Sequence, residues 1–242
     1  MPVLSDSPNH FLRSLSPSDK RLLESELRPL KLAQGMVLHK AEETIGQIYF
    51  PHSGIVSVVV GFSNGQFVEA GMFGRNSVIG AGAALDSPVA LNHAVSQVEG
   101  SGVAAEVTAV KRLVGQSETL RMAFARHQEM AAAQAQQIAA CNALHALEER
   151  LSRLLLHVRD LIRSDTLPLT QDFLATMLGV RRTSVTVVAR NLQAARLINY
   201  RRGHIHVLDV EGFQDSCCEC YGAINNHFRT LIGWTPELNE TH

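Results

Sequence analysis

Apolar residues along this chain follow two different periods, and the change from one to the other divides it. From about Leu30 to Val110, short runs rich in β-branched and aromatic residues alternate with glycine: "GMVLHK", "QIYFPHSGIVSVVV", "GQFVEAGMF", "NSVIGAG" and "NHAVSQVEGSGVAAEV". Runs of strand length bounded by glycine predict a small antiparallel barrel or sandwich. "SNGQ" at Ser63–Gln66 predicts a hairpin turn, because Asn and Gly tolerate positive φ.

From about Glu118 to Ile162 both glycine and proline vanish, and Ala, Leu, Gln and Arg dominate. These are strong helix formers. Phe124, Ala131 and Ile138 recur at seven-residue spacing, and Leu120, Gln134 and Cys141 fall on the same period. Two such stripes suit a helix packed along another helix, with the alanines allowing close approach. They suit equally an amphipathic helix buried against its own domain. A break in so long a run is expected at Asn142–Ala143.

Beyond "RSDTLP" the punctuation is tighter. Thr170 precedes "QDFLATML" as an N-cap, with Asp172 in the first turn complementing the helix dipole. Gly179 can take the positive φ that ends this helix. A second helix starts within "RRTSV" and runs to about Ala195, and "LINYRRGHIHVL" alternates as a hairpin about Arg202–Gly203. Helix, glycine turn, helix and hairpin make a winged helix-turn-helix.

Composition adds bounds. The 242 residues are 45% hydrophobic and 19% charged, as expected of globular domains. The polar, acidic "MPVLSDSPNH" is not a secretory leader, and no run approaches the roughly 18 apolar residues of a membrane span, so a cytoplasmic protein is expected. Cys217, Cys218 and Cys220 crowd one end and Cys141 stands apart, which is no disulfide framework.

The distribution of charge changes the picture more. Net charge is only -1, yet residues 177–208 hold Arg181, Arg182, Arg190, Arg196, Arg201 and Arg202 and no acid. Arginines gathered at the start of the second helix and in the hairpin, without local partners, point to double-stranded DNA. Phosphate contacts release counterions and supply affinity, and Arg at a helix start can fork onto guanine O6 and N7.

"LTQDFLATMLGVRRTSVTVVARNLQAARLI" followed by "RRGHIHVL" resembles the DNA-binding domain of the Crp/Fnr superfamily of bacterial transcription regulators. "YFPHSGIVSVVV", "GMFGRNSVIG" and the long helix extend the resemblance over nearly the whole chain. It implies an α+β architecture: an antiparallel β-roll (double-stranded β-helix) sensor domain over 1–117, a dimerisation helix over 118–143, and a winged helix-turn-helix with a C-terminal tail over 144–242. It also implies a homodimer with recognition helices in successive major grooves, and RNA polymerase as a partner. Within the motif, Arg182 matches the base-reading arginine. Thr183 stands where cyclic-AMP-responsive members have a glutamate, and Val187 where they have a second base-reading arginine. Ser184 matches a phosphate-contacting hydroxyl, and Thr170 and Gln171 match backbone-contacting positions. With Arg181, Arg190, Arg201 and Arg202 these make the expected DNA-binding set.

The same resemblance sets an expectation about the sensor. Cyclic-nucleotide-binding members carry a glutamate for the ribose hydroxyl and an arginine for the cyclic phosphate. Here Ala81 and Asn92–His93–Ala94 stand in those places. A buried phosphate needs a cation or dense N–H donors, so tight cyclic AMP binding is not expected and the effector is left unidentified. "GAGAAL" lacks the βαβ context of a dinucleotide site.

Two constellations suggest other chemistry. Cys217, Cys218 and Cys220 with His227 offer soft ligands for a thiol- or metal-responsive switch, although adjacent cysteines point apart and packed, reduced thiols are the simpler reading. His204, His206 and Glu211 mimic the ligand spacing of metal-dependent cupin enzymes, although they follow the wing rather than the β-rich region. The expectation is a regulator, neither an enzyme nor a cofactor protein, with a hinge near Asn142–Leu144.

Overall fold

The computed structural model describes residues 4–201 and 203–236. After a 3-10 turn come two short helices, α1 (His10–Ser14) and α2 (Pro17–Glu24). Asn9 and Ser16 cap them by accepting from the N–H groups of Leu12 and Asp19. The strands of the roll follow: β1 (Arg28–Leu32), β2 (Val37–His39), β3 (Gln47–Pro51), β4 (Ile55–Gly61), β5 (Phe67–Phe73), β6 (His93–Val98) and β7 (Gly100–Glu106). They form two antiparallel sheets, ordered β1-β7-β3 and β2-β6-β4-β5. The β4–β5 hairpin closes at the expected turn, with Gly65 at φ 80° and the Phe62 N–H donating to the Gln66 carbonyl at 2.9 Å.

Two stretches depart from the strand pattern. In "NSVIGAG" only Ile79 bridges, to Tyr49, and the chain then enters a short helix, α3 (Ala81–Ala84). Ala81, Ala83 and Ala84 are buried, and residues this small pack as a helical turn where a strand would leave voids. The second is α4 (Val107–Gln116), which continues directly from β7. Its Val107, Val110, Leu113 and Val114 are buried, a three-to-four-residue period that marks a helix.

The glycine-free run forms α5 (Glu118–Leu144) and α6 (Leu147–Ile162). The break falls at His145–Ala146 rather than Asn142–Ala143. There the Glu149 carboxylate accepts from the Ala146 N–H (2.8 Å) and starts the new helix, while Arg150 Nε donates to Asn142 Oδ1 at 3.0 Å.

Both periodic stripes of α5 turn inward. Leu120, Phe124, Gln134, Ile138 and Cys141 are buried within the chain itself. A C-terminal helix, α10 (Cys220–Ile232), lies along α5, and Ile224, Phe228 and Trp234 join Met130 and Ile138 in one apolar cluster. The stripe that resembled a seam for a second copy is therefore filled from within. The bare face of α5 carries Gln128, Ala132 and Ala139, flanked by half-buried Ala125 and Ala135.

Helix α6 is buried continuously from Leu151 to Leu161. One core joins Ile55, Val59 and Met72 of the roll to Leu151, Leu155 and Val158 of α6 and to Leu174, Val185 and Leu192 beyond it. Among its buried polar groups, Arg159 Nε pairs with Asp165 at 2.6 Å and Asp160 with the Tyr221 hydroxyl at 2.8 Å, whereas Arg153 Nε has no hydrogen-bond partner. Past α6 come β8 (Thr166–Leu167), α7 (Gln171–Leu178), α8 (Arg182–Ala194), β9 (Ile198–Arg201), β10 (His204–Val207) and α9 (Val210–Asp215). β8, β10 and β9 form a small antiparallel sheet. Among the described residues no helix is long and apolar enough to cross a membrane.

Candidate nucleic-acid interface

The turn between α7 and α8 is built by its local chemistry. Thr170 Oγ1 accepts from the Phe173 N–H at 3.2 Å and opens α7. Gly179, at φ 64°, closes it: its N–H donates to the Thr176 carbonyl and the Val180 N–H to the Ala175 carbonyl. That left-handed closure redirects the chain into α8 within three residues. Buried Leu174, Val185, Ala189 and Leu192 then hold α7 and α8 together.

The opposite face of α8 is open. Arg181, Arg182, Thr183, Val187 and Arg190 are exposed, and Ser184 is half-buried. Positions 183, 187 and 190 follow the i, i+4, i+7 spacing of one helical face. Arg201 is exposed at the end of β9, while Arg202 lies outside the described residues. Among the described residues Arg181, Arg190 and Arg201 make no ion pair. Arg182 Nη1 sits 3.1 Å from Asp172 Oδ2 across the turn, both side chains about two-thirds exposed. Gln171 is engaged internally, its Oε1 accepting from Thr186 Oγ1 at 2.7 Å. The Asp172 and Thr186 partnerships were not expected from the sequence, since they depend on the crossing of α7 and α8.

His204 and His206 lie on the exposed side of β10, where His206 Nδ1 is 2.9 Å from Thr166 Oγ1. Glu211 belongs to α9. Among the described residues, the set of three or more ligating side chains within metal-binding reach does not include these three. It comprises Cys141, His145, Cys218 and Cys220. Cys141 and His145, 70 and more residues away in sequence, were not anticipated as partners of the C-terminal cysteines, and His227 stands outside the group.

Residues 149–216 match the family model of the Crp-like helix-turn-helix domain. The solved structures extend the likeness across the chain. FixK2 of Bradyrhizobium japonicum superimposes with TM-score 0.69 at 13% identity, covering 79% of this chain and 98% of that one. The c-di-GMP responsive global regulator CLP of Xanthomonas campestris gives TM-score 0.66 at 15% identity, covering 80% and 100%. A CRP-family transcriptional regulator of Thermus thermophilus gives TM-score 0.66 at 19% identity, covering 77% and 95%. Residues 149–216 are a Crp-like helix-turn-helix domain, on a chain with the Crp/Fnr fold. No curated relative matches the sequence.

In this Crp/Fnr fold a cavity of about 300 Å³ lies between the roll and α5. Gly80, Ala81, Gly82, Ala90 and Asn92 line one side, and His127, Gln128, Ala131, Ala132 and Ala135 the other. No Arg or Lys is among its lining residues. His127 is buried, which pushes its pKa down to about 4, and burial also lowers His39 at the cavity wall, so neither is a cation near pH 7. His93 stands elsewhere, its ring edge-on to Phe67 and its Nδ1 accepting from the Ala41 N–H at 3.4 Å. The residues present do not suit a buried cyclic phosphate.

Proposed function

We propose that this chain is a sequence-specific DNA-binding transcription regulator that acts as a homodimer in the cytoplasm. The observation that supports it most directly is the acid-poor face of α8, where Arg182, Thr183, Val187 and Arg190 stand free of the core beside Arg181 and the wing residue Arg201. On this reading Arg182 and Thr183 meet base edges. Thr170, Gln171, Ser184, Arg181, Arg190 and the wing arginines Arg201 and Arg202 meet phosphates. A second copy packs on the Ala125–Ala132–Ala139 face of α5, where small side chains permit close contact, and RNA polymerase is the downstream partner. The sensor, dimer helix and DNA-binding units correspond to 1–117, 118–143 and 144–242.

The cavity against α5 is the effector site of this reading, and its neutral lining favours an uncharged, largely apolar ligand over cyclic AMP. The chain is a switch rather than a catalyst. An effector biases one arrangement of α5 and α6, and this sets the spacing of the two α8 helices.

Selection of bound fragments from random duplex DNA by the purified full-length protein, at two salt concentrations, tests the reading. Enrichment of a palindrome with half-sites about one helical turn apart is expected. Recovery without sequence enrichment, or no recovery at low salt, would overturn it.

A further inference from the structure

Three cysteines and a histidine from three parts of the chain converge where α5 ends. Cys141 lies in the last turn of α5, His145 in the break before α6, Cys218 between α9 and α10, and Cys220 at the first residue of α10. Their four ligand atoms lie within 4.8 Å of one another. Cys141 Sγ is 3.6 Å from Cys218 Sγ, and His145 Nδ1 is 3.5 Å from Cys220 Sγ. Tetrahedral zinc, with Zn–S near 2.3 Å and Zn–N near 2.0–2.1 Å, sets its ligands apart by about 3.8 Å sulfur to sulfur and about 3.5 Å sulfur to nitrogen. We propose that Cys141, His145, Cys218 and Cys220 form a Cys3His site for a single Zn²⁺ ion.

The surroundings match a metal site better than a group of inert thiols. His145 turns Nδ1 toward the sulfurs, while its Nε2 stands 3.4 Å from the Glu219 carboxylate. A carboxylate on the far nitrogen fixes the tautomer and ring orientation that a metal ligand needs. Gln137 Nε2 donates to Cys220 Sγ at 3.1 Å, as amide groups do to metal-bound thiolates. Three thiolates, one neutral imidazole and Zn²⁺ carry a net charge of about −1. The Arg153 side chain, buried and within Coulombic reach of Cys141, balances it; its Nε has no hydrogen-bond partner. The three ligating cysteines are nearly inaccessible, whereas His145 keeps an edge toward solvent and leaves an entry path. Cys217, next in sequence to Cys218, stays outside the set, as the divergence of adjacent side chains requires. The mutual distances are too short for a polynuclear iron–sulfur cluster, which spreads its thiolates over several irons.

Such an ion ties the C-terminal segment to the break between α5 and α6. Cys141 and Cys218 are 77 residues apart in sequence, so closure at this point holds α10 along α5 and restrains the only break in the long helix run. Any effect on DNA binding rests on the reading above. The site itself does not, and its tests read metal directly.

The full-length protein, purified under reducing conditions without added metal, is expected to hold about one zinc per chain by elemental analysis. Replacement with Co²⁺ should give intense visible ligand-field bands of tetrahedral cobalt and thiolate charge-transfer bands. Cys218→Ser and His145→Ala should each lower zinc content at least fivefold. Cys217→Ser should retain it, and Glu219→Gln should retain the cobalt spectrum with affinity lower by about 10-fold or more. Circular dichroism identifies a variant that has simply unfolded, and the cobalt spectrum of the unaltered protein stands whatever the variants do. Metal-free protein that binds neither Zn²⁺ nor Co²⁺ at micromolar concentrations would overturn the proposal. So would a Cys141–Cys218 disulfide under reducing conditions, or equal metal loss in Cys217→Ser.

Discussion

Arg182 and Asp172 face each other across the turn as a pair exposed to water. A pair of this kind contributes little to stability, so on the proposed reading Asp172 would position Arg182 at small cost and release it readily to a base. Arg182→Ala is expected to lose about 1–3 kcal/mol on the selected operator and much less on random duplex, measured by fluorescence anisotropy. Equal losses on both would reassign Arg182 to phosphate.

Buried Glu69 presents a different balance. Burial raises its pKa from 4.5 to about 7, although the nearby Arg153 charge and the Ser57 hydroxyl both favour the ionised form. Between those pH values the folded chain holds a proton that the unfolded chain has released. The group's contribution is therefore fully present below pH 4.5 and is lost as pH rises through 7. Against Glu69→Gln, which cannot ionise, the unaltered protein should lose up to about 3 kcal/mol of unfolding free energy between pH 5 and 8. A pH-independent difference in urea titrations would refute this. At this scale the sequence was most legible where a residue acts through its own backbone, as with the Thr170 cap and the Gly179 turn. It was least legible where side chains meet from distant segments, as with Cys141 and Cys218.

Helix α5 shows how an element can be recognised and its faces still misassigned. Its heptad spacing marks a buried stripe, yet a stripe does not say what buries it, and here the roll and α10 do. Ile138→Glu, which from the stripe alone would have been a test of dimerisation, is instead expected to cost folding stability by about 3 kcal/mol or more, because it places a carboxylate against Phe228 and Ile224. Ala132→Glu lies on the bare face and should leave the melting temperature nearly unchanged. It should raise the dimer dissociation constant at least tenfold, about 1.4 kcal/mol, by sedimentation. A dimer indifferent to Ala132→Glu would move the interface off α5. Helix α4 is the reverse case: its buried period was present in the sequence but short, and the strand pattern leading into it masked it.

At the scale of the molecule, the cavity between roll and α5 joins two elements whose sequences each look ordinary. Its neutrality is a property of the assembled wall, since the relevant fact is which residues fail to reach it. Titration with cyclic AMP or cyclic GMP should give no saturable heat up to about 1 mM, because no side-chain cation meets the phosphate. A micromolar dissociation constant would mean that backbone N–H groups around Gly80–Ala84 hold the anion unaided. Fold class, the winged helix and the β-roll were legible because each rests on a local period or turn. The docking of the C-terminal helix along α5 was not, because nothing in a single segment encodes it.

The continuous burial of α6 makes the chain less modular than its sequence match suggests. The match begins at residue 149, yet Leu151, Leu155 and Val158 share a core with Ile55, Val59 and Met72 of the roll. A cut at 149 therefore runs through packed hydrocarbon rather than through a linker. Differential scanning calorimetry of the full chain should show one endotherm, with the calorimetric and van't Hoff enthalpies in agreement. Two separated endotherms would mean that the roll and the helix-turn-helix domain melt apart. Residues 149–216 expressed alone should aggregate, because the helix that joins the two halves is also the wall that neither half can keep dry without the other.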